Sequence, residues 1–222
     1  MSFRFLSGAL AGILSLNLAG HAVAETPDRP WYVGLDLSVG QFDDTDISGA
    51  ASGEIRYSGG VALSGIKLGY RPRALALPNA AVRFELELGG HVNAIDSQTG
   101  TTTGRNNNVL GVGALMVNAY YDYAPDARFS PYLGVGFGVA GAEFDKHPGY
   151  GISGKSSEDE AAARQIMAGV TYTHPTWECT QISLGYRYFN TDAMDFTTSG
   201  NAKVRLDGIT SHEAVLGIAY RF

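Results

Sequence analysis

The chain of 222 residues contains one cysteine, Cys179, so no disulfide can form within it. A small fold stapled by bridges is excluded. Charge is scarce at 17% of residues, and 16 Lys and Arg against 22 Asp and Glu leave a net charge of -6 with the positive residues scattered. That balance argues against nucleic acid as a partner. Beyond Ala24 no stretch is apolar enough to cross a membrane as a helix, which takes roughly 20 residues. Runs that favour helix are few as well. What the chain has in quantity is glycine, 29 residues, and tyrosine, 12. These are set in segments whose apolar residues recur at every second position, the period of a β-strand.

Met1 to Ala24 reads as a secretory signal, with Arg4 as the positive start, an apolar stretch Phe5 to Ala19, and Ala22-Val23-Ala24 as the cleavage site. The remainder, 25–222, fits one domain. It divides into eight alternating segments: Trp31–Phe42, Ala62–Arg71, Ala80–Val92, Val109–Tyr123, Phe129–Phe144, Gln165–Thr173, Cys179–Phe189 and Ser211–Phe222. The spacers alternate too. Short connections carrying Pro72 and Pro78, Pro125 and Pro175 follow the second, fourth and sixth segments. The longer Asp43–Gly60, Asn93–Asn108, Asp145–Glu160 and Asn190–Thr210 read as loops.

Each segment has a greasy face and a small or charged one. Eight strands with alternating short turns and long loops predict an all-β, eight-stranded antiparallel transmembrane up-and-down β-barrel. Trp31, Tyr70, Phe84, Tyr121, Tyr123, Phe129, Tyr172, Tyr220 and Phe222 all fall on the greasy face beside the short turns, as an aromatic girdle at the lipid boundary requires. On the other face stand Asp36, Lys67, Arg71, Arg83, Glu85, Glu87, Asp122, Arg187, Glu213 and Arg221, five positive and five negative. A charged pore and an ion-paired, plugged core both suit these residues. The interior of about eight strands is only wide enough for side chains, which favours the plugged core. Gly134, Gly136 and Gly138 alternate on the same face and leave room for bulkier neighbours.

Catalytic chemistry finds little support. A nucleophile, a base and an acid within reach are required, and the best pieces, Ser211 and His212, are adjacent on a strand and point to opposite faces. Asp43, Asp44 and Asp46 lack the glycine and closing glutamate of a calcium loop and read as a solvated stretch. Cys179 reads as packing, since no His or Lys neighbours it in sequence. Glu158–Arg164 allows either a short helix or an extension of the next strand. No cofactor or metal is expected.

Asn118-Ala119-Tyr120-Tyr121-Asp122, Ser130-Pro131-Tyr132-Leu133-Gly134-Val135-Gly136-Phe137-Gly138, Leu184-Gly185-Tyr186-Arg187-Tyr188 and the closing Ala219-Tyr220-Arg221-Phe222 resemble the small outer-membrane β-barrel superfamily of Gram-negative bacteria. That group includes OmpA-type transmembrane barrels, opacity-type adhesins and porin-like surface antigens. The resemblance spans 25–222 and implies a place in the outer membrane, with lipid and lipopolysaccharide around the wall. It also implies that the closing strand, through Leu216, Ile218, Tyr220 and Phe222, is the signal read by the outer-membrane assembly machinery. The expected role is non-enzymatic: four external loops meeting a host or envelope ligand in adhesion, host interaction or envelope integrity. A narrow channel for small solutes is the alternative, and a lipid A-modifying enzyme a distant third.

Overall fold

The structure is a computed structural model that describes residues 29–100, 104–105, 109–144, 152–156, 160–177, 179–198 and 202–222. The signal segment lies outside these residues. Eight strands make the wall: β1 (Trp31–Phe42), β2 (Gly60–Tyr70), β3 (Ala80–Gly100), β4 (Val109–Tyr123), β5 (Phe129–Phe144), β6 (Ala161–Thr173), β7 (Thr180–Thr191) and β8 (Thr210–Arg221). Each pairs antiparallel with its neighbour in sequence, and β8 returns to β1 along Tyr32↔Arg221 to Phe42↔Ser211. The sheet is closed. No pair in this part of the sheet is left as an edge, the condition for strands to cross lipid.

Alternation sorts the side chains as strand geometry dictates. Leu35, Leu37 and Val39 of β1 are exposed on the outside while Tyr32, Asp36 and Ser38 are buried inside. The girdle aromatics stand outward beside the short turns, Tyr172 half-buried and the rest exposed. A bulge between β1 and β2 interrupts the pattern. The β1–β2 register passes from Asp36↔Gly65 to Leu37↔Leu63, so Ser64 is an extra residue and both Ser64 and Gly65 turn inward. Close packing inside requires glycine at particular positions. A Cβ on Gly69 would lie 1.9 Å from Tyr32 Cζ, and one on Gly136 would lie 2.0 Å from Asn118 Oδ1.

The long connections differ from the loops that composition suggests. Asp43–Gly60 contains the strands Thr45–Gly49 and Gly53–Ser58, and Asn190–Thr210 contains Met194–Thr198 and Lys203–Leu206. Asn93–Asn108 is largely strand as well, since β3 runs on to Gly100 and Gly104–Arg105 pairs back onto it. Ile152–Ser156 is a strand in the third connection, and β6 begins at Ala161, so Ala161–Arg164 extend the strand rather than forming a helix. Residues 158–159 lie outside the described residues.

These outer strands join into one sheet. Gly53–Ser58 pairs with the far end of β3, Thr45–Gly49 with Gly53–Ser58, Lys203–Leu206 with Thr45–Gly49, Met194–Thr198 with Lys203–Leu206, and Ile152–Ser156 with Met194–Thr198. The physical reason is burial. Ile47, Ile55, Tyr57, Phe196, Val204 and Leu206 alternate with polar residues and pack inward in one apolar cluster with Phe42, Ile95, Leu110 and Phe189 from the barrel strands. A membrane crossing needs about 9–11 residues of tilted strand, so the 21 residues of β3 carry the wall well past the lipid. If the outer sheet is part of the fold, Phe196→Ala should destabilise the whole barrel by about 3–5 kcal/mol, the usual cost of emptying a buried phenylalanine site. Urea unfolding of the refolded chain measures this, and a shift near zero would mean that the sheet is not coupled to the barrel.

Candidate functional site: a filled lumen under an outer sheet

The inward faces of the eight strands form two layers. The layer near the short turns is polar and ion-paired. Lys67 Nζ lies 2.8 Å from Asp36 Oδ1 and 4.0 Å from Glu85 Oε1. Arg83 donates through Nε to Asp122 at 3.0 Å, touches Glu85 through Nη1, and receives Arg71 as a co-donor to Asp122 at 3.3 Å. Its guanidinium also lies 3.7 Å from the Tyr120 ring centroid, a cation–π stack that a desolvated lumen strengthens. Tyr32 donates to Glu85 at 2.5 Å.

Arg187, 2% exposed, is the hub of the next level. Its guanidinium is 2.9 Å from Glu87 Oε1, 3.4 Å from Asp36 Oδ2 and 3.9 Å from Glu213 Oε2, and it donates to the Ser64 carbonyl at 3.3 Å. The bulge at Ser64 turns that residue inward beside it. Glu87 accepts further bonds from Asn118 at 2.6 Å and Gln165 at 3.1 Å, while Glu213 accepts from His91 Nδ1 at 2.5 Å and Ser211 at 2.8 Å. Nine of the charged residues singled out from the sequence thus meet in one chain of contacts. Arg221 closes β8 at the rim, where Nε and Nη2 donate to the Arg29 carbonyl at 3.4 and 3.3 Å. Tyr32, Tyr120, Asn118, Gln165 and His91 join this chain of contacts without belonging to the charge pattern that singles the others out in the sequence.

Above Arg187 and Glu213 the lumen becomes apolar. Met116, Ala114 and Val112 of β4, Ala140 and Ala142 of β5, Ala161 and Ala163 of β6 and Phe189 of β7 fill it, and the outer sheet covers them. An interior lined throughout by charged or small residues, as the alternation suggests, is therefore only half of what is present. The signal for the other half is the period-two pattern of the long connections, as in Glu54-Ile55-Arg56-Tyr57 and Val204-Arg205-Leu206. Below the hub a cavity of about 40 Å³ is lined by Tyr32, Lys67, Arg71, Tyr132 and Ser183 among others, space for a few waters.

Other candidate groups sit apart. Ser211 is buried and His212 exposed, on opposite faces of β8. His212 instead accepts from or donates to Tyr186 at 2.6 Å and lies 3.6 Å from Asp43 on the outer surface. Asp44 faces Arg56 at 3.6 Å. Cys179 has a basic neighbour that its sequence surroundings do not reveal, since Arg29 Nη1 donates to its Sγ across the rim. Among the described residues no group of three or more His, Cys, Asp or Glu is arranged to hold a metal. Leu216, Ile218, Tyr220 and Phe222 are exposed along the outer face of β8. Arg187→Met strips the hub from three carboxylates at once and should destabilise the barrel by about 3–5 kcal/mol, as removal of one partner from a buried ion pair does. The urea midpoint of the variant against that of the parent chain measures this, and unchanged stability would mean that Arg187 is dispensable.

Comparison with known proteins agrees with this architecture. The outer membrane protein PagN of Salmonella typhimurium strain LT2 is 26% identical over 127 residues, which make up 52% of this chain and 52% of PagN. The chain spans about half the length of that curated relative. The crystal structure of Neisserial surface protein A matches with a TM-score of 0.50 at 16% identity, covering 86% of this chain and 97% of the other. OprG of Pseudomonas aeruginosa matches at 0.52 and 12% identity over 87% and 96%, and AlkL at 0.51 and 19% identity over 93% and 96%. Identities this low speak for the fold alone. The family described as the outer membrane protein beta-barrel domain matches residues 8–222. This chain belongs to that family, and its place is the cell outer membrane.

Proposed function

We propose that this outer-membrane barrel is a non-enzymatic, non-conducting surface protein whose outer sheet meets a host or envelope ligand. The observation that supports this reading is the apolar layer above Arg187. Phe42, Phe189, Phe196 and Leu206 are almost wholly buried there, and a hydrated ion crossing it would lose its water with no polar group in exchange. The ion-paired layer below then serves stability rather than passage.

The face left for recognition is the outward side of the outer sheet. Asp46 and Ser48, Arg56, Lys203 and Arg205 are exposed there on alternate positions, with Arg56 3.5 Å from Glu54 and Arg205 3.7 Å from Asp195. A mixed-charge surface held on paired strands suits a polar ligand that needs several hydrogen bonds at once. Replacing Arg56, Lys203 and Arg205 together by Ser should remove binding to whole cells or isolated envelope while leaving the unfolding midpoint unchanged. Retained binding would move the recognition face elsewhere.

The channel and enzyme alternatives have direct tests. The refolded chain should give no reproducible conductance in a planar bilayer, and lipopolysaccharide incubated with it should keep its mass. Steady single-channel currents, or loss or gain of an acyl chain, would each displace this reading. The outer row Leu216, Ile218, Tyr220 and Phe222 also suits the terminal signal for outer-membrane assembly. Deleting Phe222 should lower the amount of heat-modifiable, membrane-inserted protein in cells, and normal insertion would count against that role.

A further inference from the structure

At the foot of β5 and β6 the aromatic girdle continues from the wall onto a turn. Phe129 and Tyr172 stand with ring centroids 5.1 Å apart, Tyr172 meets His174 at 6.1 Å, and His174 packs on Trp177 at 4.6 Å. The row thus runs from the lipid-facing wall to the short turn that follows β6. Both of its ends are open, with Phe129 60% and Trp177 53% exposed. Short turns of such barrels face the periplasm, so the row lies at the headgroup level of that leaflet, where amphipathic rings are placed.

The turns at this corner are ordered by their own backbone. Thr173 N–H donates to the Arg128 carbonyl at 3.0 Å, which ties the turn after β4 to the end of β6. Trp177 N–H donates to the His174 carbonyl at 3.1 Å, and Thr180 N–H to the Trp177 carbonyl at 2.9 Å. Thr176 N–H donates to His174 Nδ1 at 3.2 Å, with Thr176 Oγ1 2.9 Å from the same nitrogen. A backbone amide can only donate, so Nδ1 is the acceptor and the imidazole proton sits on Nε2. That N–H has no acceptor among the described residues. The Arg128 guanidinium is exposed and likewise has no partner among them, since Asp126, the acid of its own turn, forms no ion pair with it. Two donors, one of them a permanent cation, therefore stand free beside the row of rings.

We propose that this corner binds one phospholipid of the periplasmic leaflet, its phosphate accepting from Arg128 and His174 Nε2 and its glycerol and acyl chains lying along Phe129 and Tyr172. A phosphodiester is anionic and offers acceptor oxygens without donors, which is what two free donors call for. A soluble anion would use the donors and leave the rings uncovered; a lipid uses both. Lipopolysaccharide is not the occupant, because it fills the opposite leaflet. The bound phosphate fixes the depth of β5 and β6 in the bilayer, and with it the height at which the outer sheet leaves the membrane on the other side.

Native mass spectrometry of the refolded chain in a non-lipid detergent provides the test. Dimyristoylphosphatidylglycerol is the probe, and dimyristoylglycerol, with the same acyl chains and no phosphate, is the control. A hydrogen bond to a charged group corresponds to about tenfold in affinity, so the parent chain should hold the probe at least that much more tightly than the control. By the same measure Arg128→Ser and His174→Phe should each weaken the probe's binding about tenfold and leave the control unchanged. Both residues lie in turns outside the wall, and the shift in gel mobility on heating reports whether each variant is folded. The comparison of probe with control uses the parent chain, so it decides even where a variant fails to fold. Inorganic phosphate at millimolar concentration should not displace the lipid. Equal affinity for the two lipids, folded variants that bind the probe as the parent does, or displacement by inorganic phosphate would each overturn the proposal.

Discussion

An eight-stranded wall encloses a space only wide enough for side chains, and everything else in the structure follows from having to fill it. Half of every strand points into that space. A polar group placed there without a partner costs several kcal/mol or changes its charge, so the inward faces cannot be chosen strand by strand. Arg83 shows the consequence. It stacks on Tyr120, reaches Asp122 and Glu85, and is met by Tyr32, drawing β1, β3 and β4 into one unit. Arg187 extends the unit by taking Glu87 from β3, Glu213 from β8 and Asp36 from β1. The wall is held from within as much as by its ladder.

The two layers solve the filling problem by different means. Ion pairs with hydrogen-bonded neutral partners fill the level of Lys67 and Arg83, where waters from the cavity below can satisfy what remains. Near Phe42 and Phe189 apolar side chains from the outer sheet enter the space instead. Burial of that apolar surface is what turns the connections into strands. Ile55 and Phe196 could not be buried by a loop that wandered through water, because its backbone groups would then lack partners inside the fold. Pairing Gly53–Ser58 onto β3 satisfies them.

The barrel itself was legible in the sequence, since Trp31–Phe42, Val109–Tyr123 and Phe129–Phe144 alternate without interruption and those bounds match the strands. The charged lumen was legible to the extent that parity decides it. Which inward charges pair, as Arg187 pairs with Glu87, depends on register between strands distant in sequence, and parity does not show it. The Ser64 bulge was not legible, because no residue type marks an inserted position in a strand. Nor was the contact between Arg29 and Cys179, 150 residues apart in the chain. The outer strands were half legible: the alternation in Val204-Arg205-Leu206 is there, but in segments of four to six residues it competes with a Gly, Ser and Asp composition that reads as turn.

A recognition surface built on paired strands differs physically from one built on free loops. A loop that orders on contact loses conformational entropy at that moment, about 1–2 kcal/mol for each residue fixed, and this sets against whatever contacts it makes. Here Arg56 and Arg205 project from strands whose inward neighbours Ile55, Tyr57, Val204 and Leu206 are already buried, so their backbone is ordered before any partner arrives. The same apolar layer that fills the upper lumen therefore fixes the outer face. Stability of the barrel and order of the outer face are two effects of one packing, and a substitution in the buried row reaches the surface even though it lies beneath it.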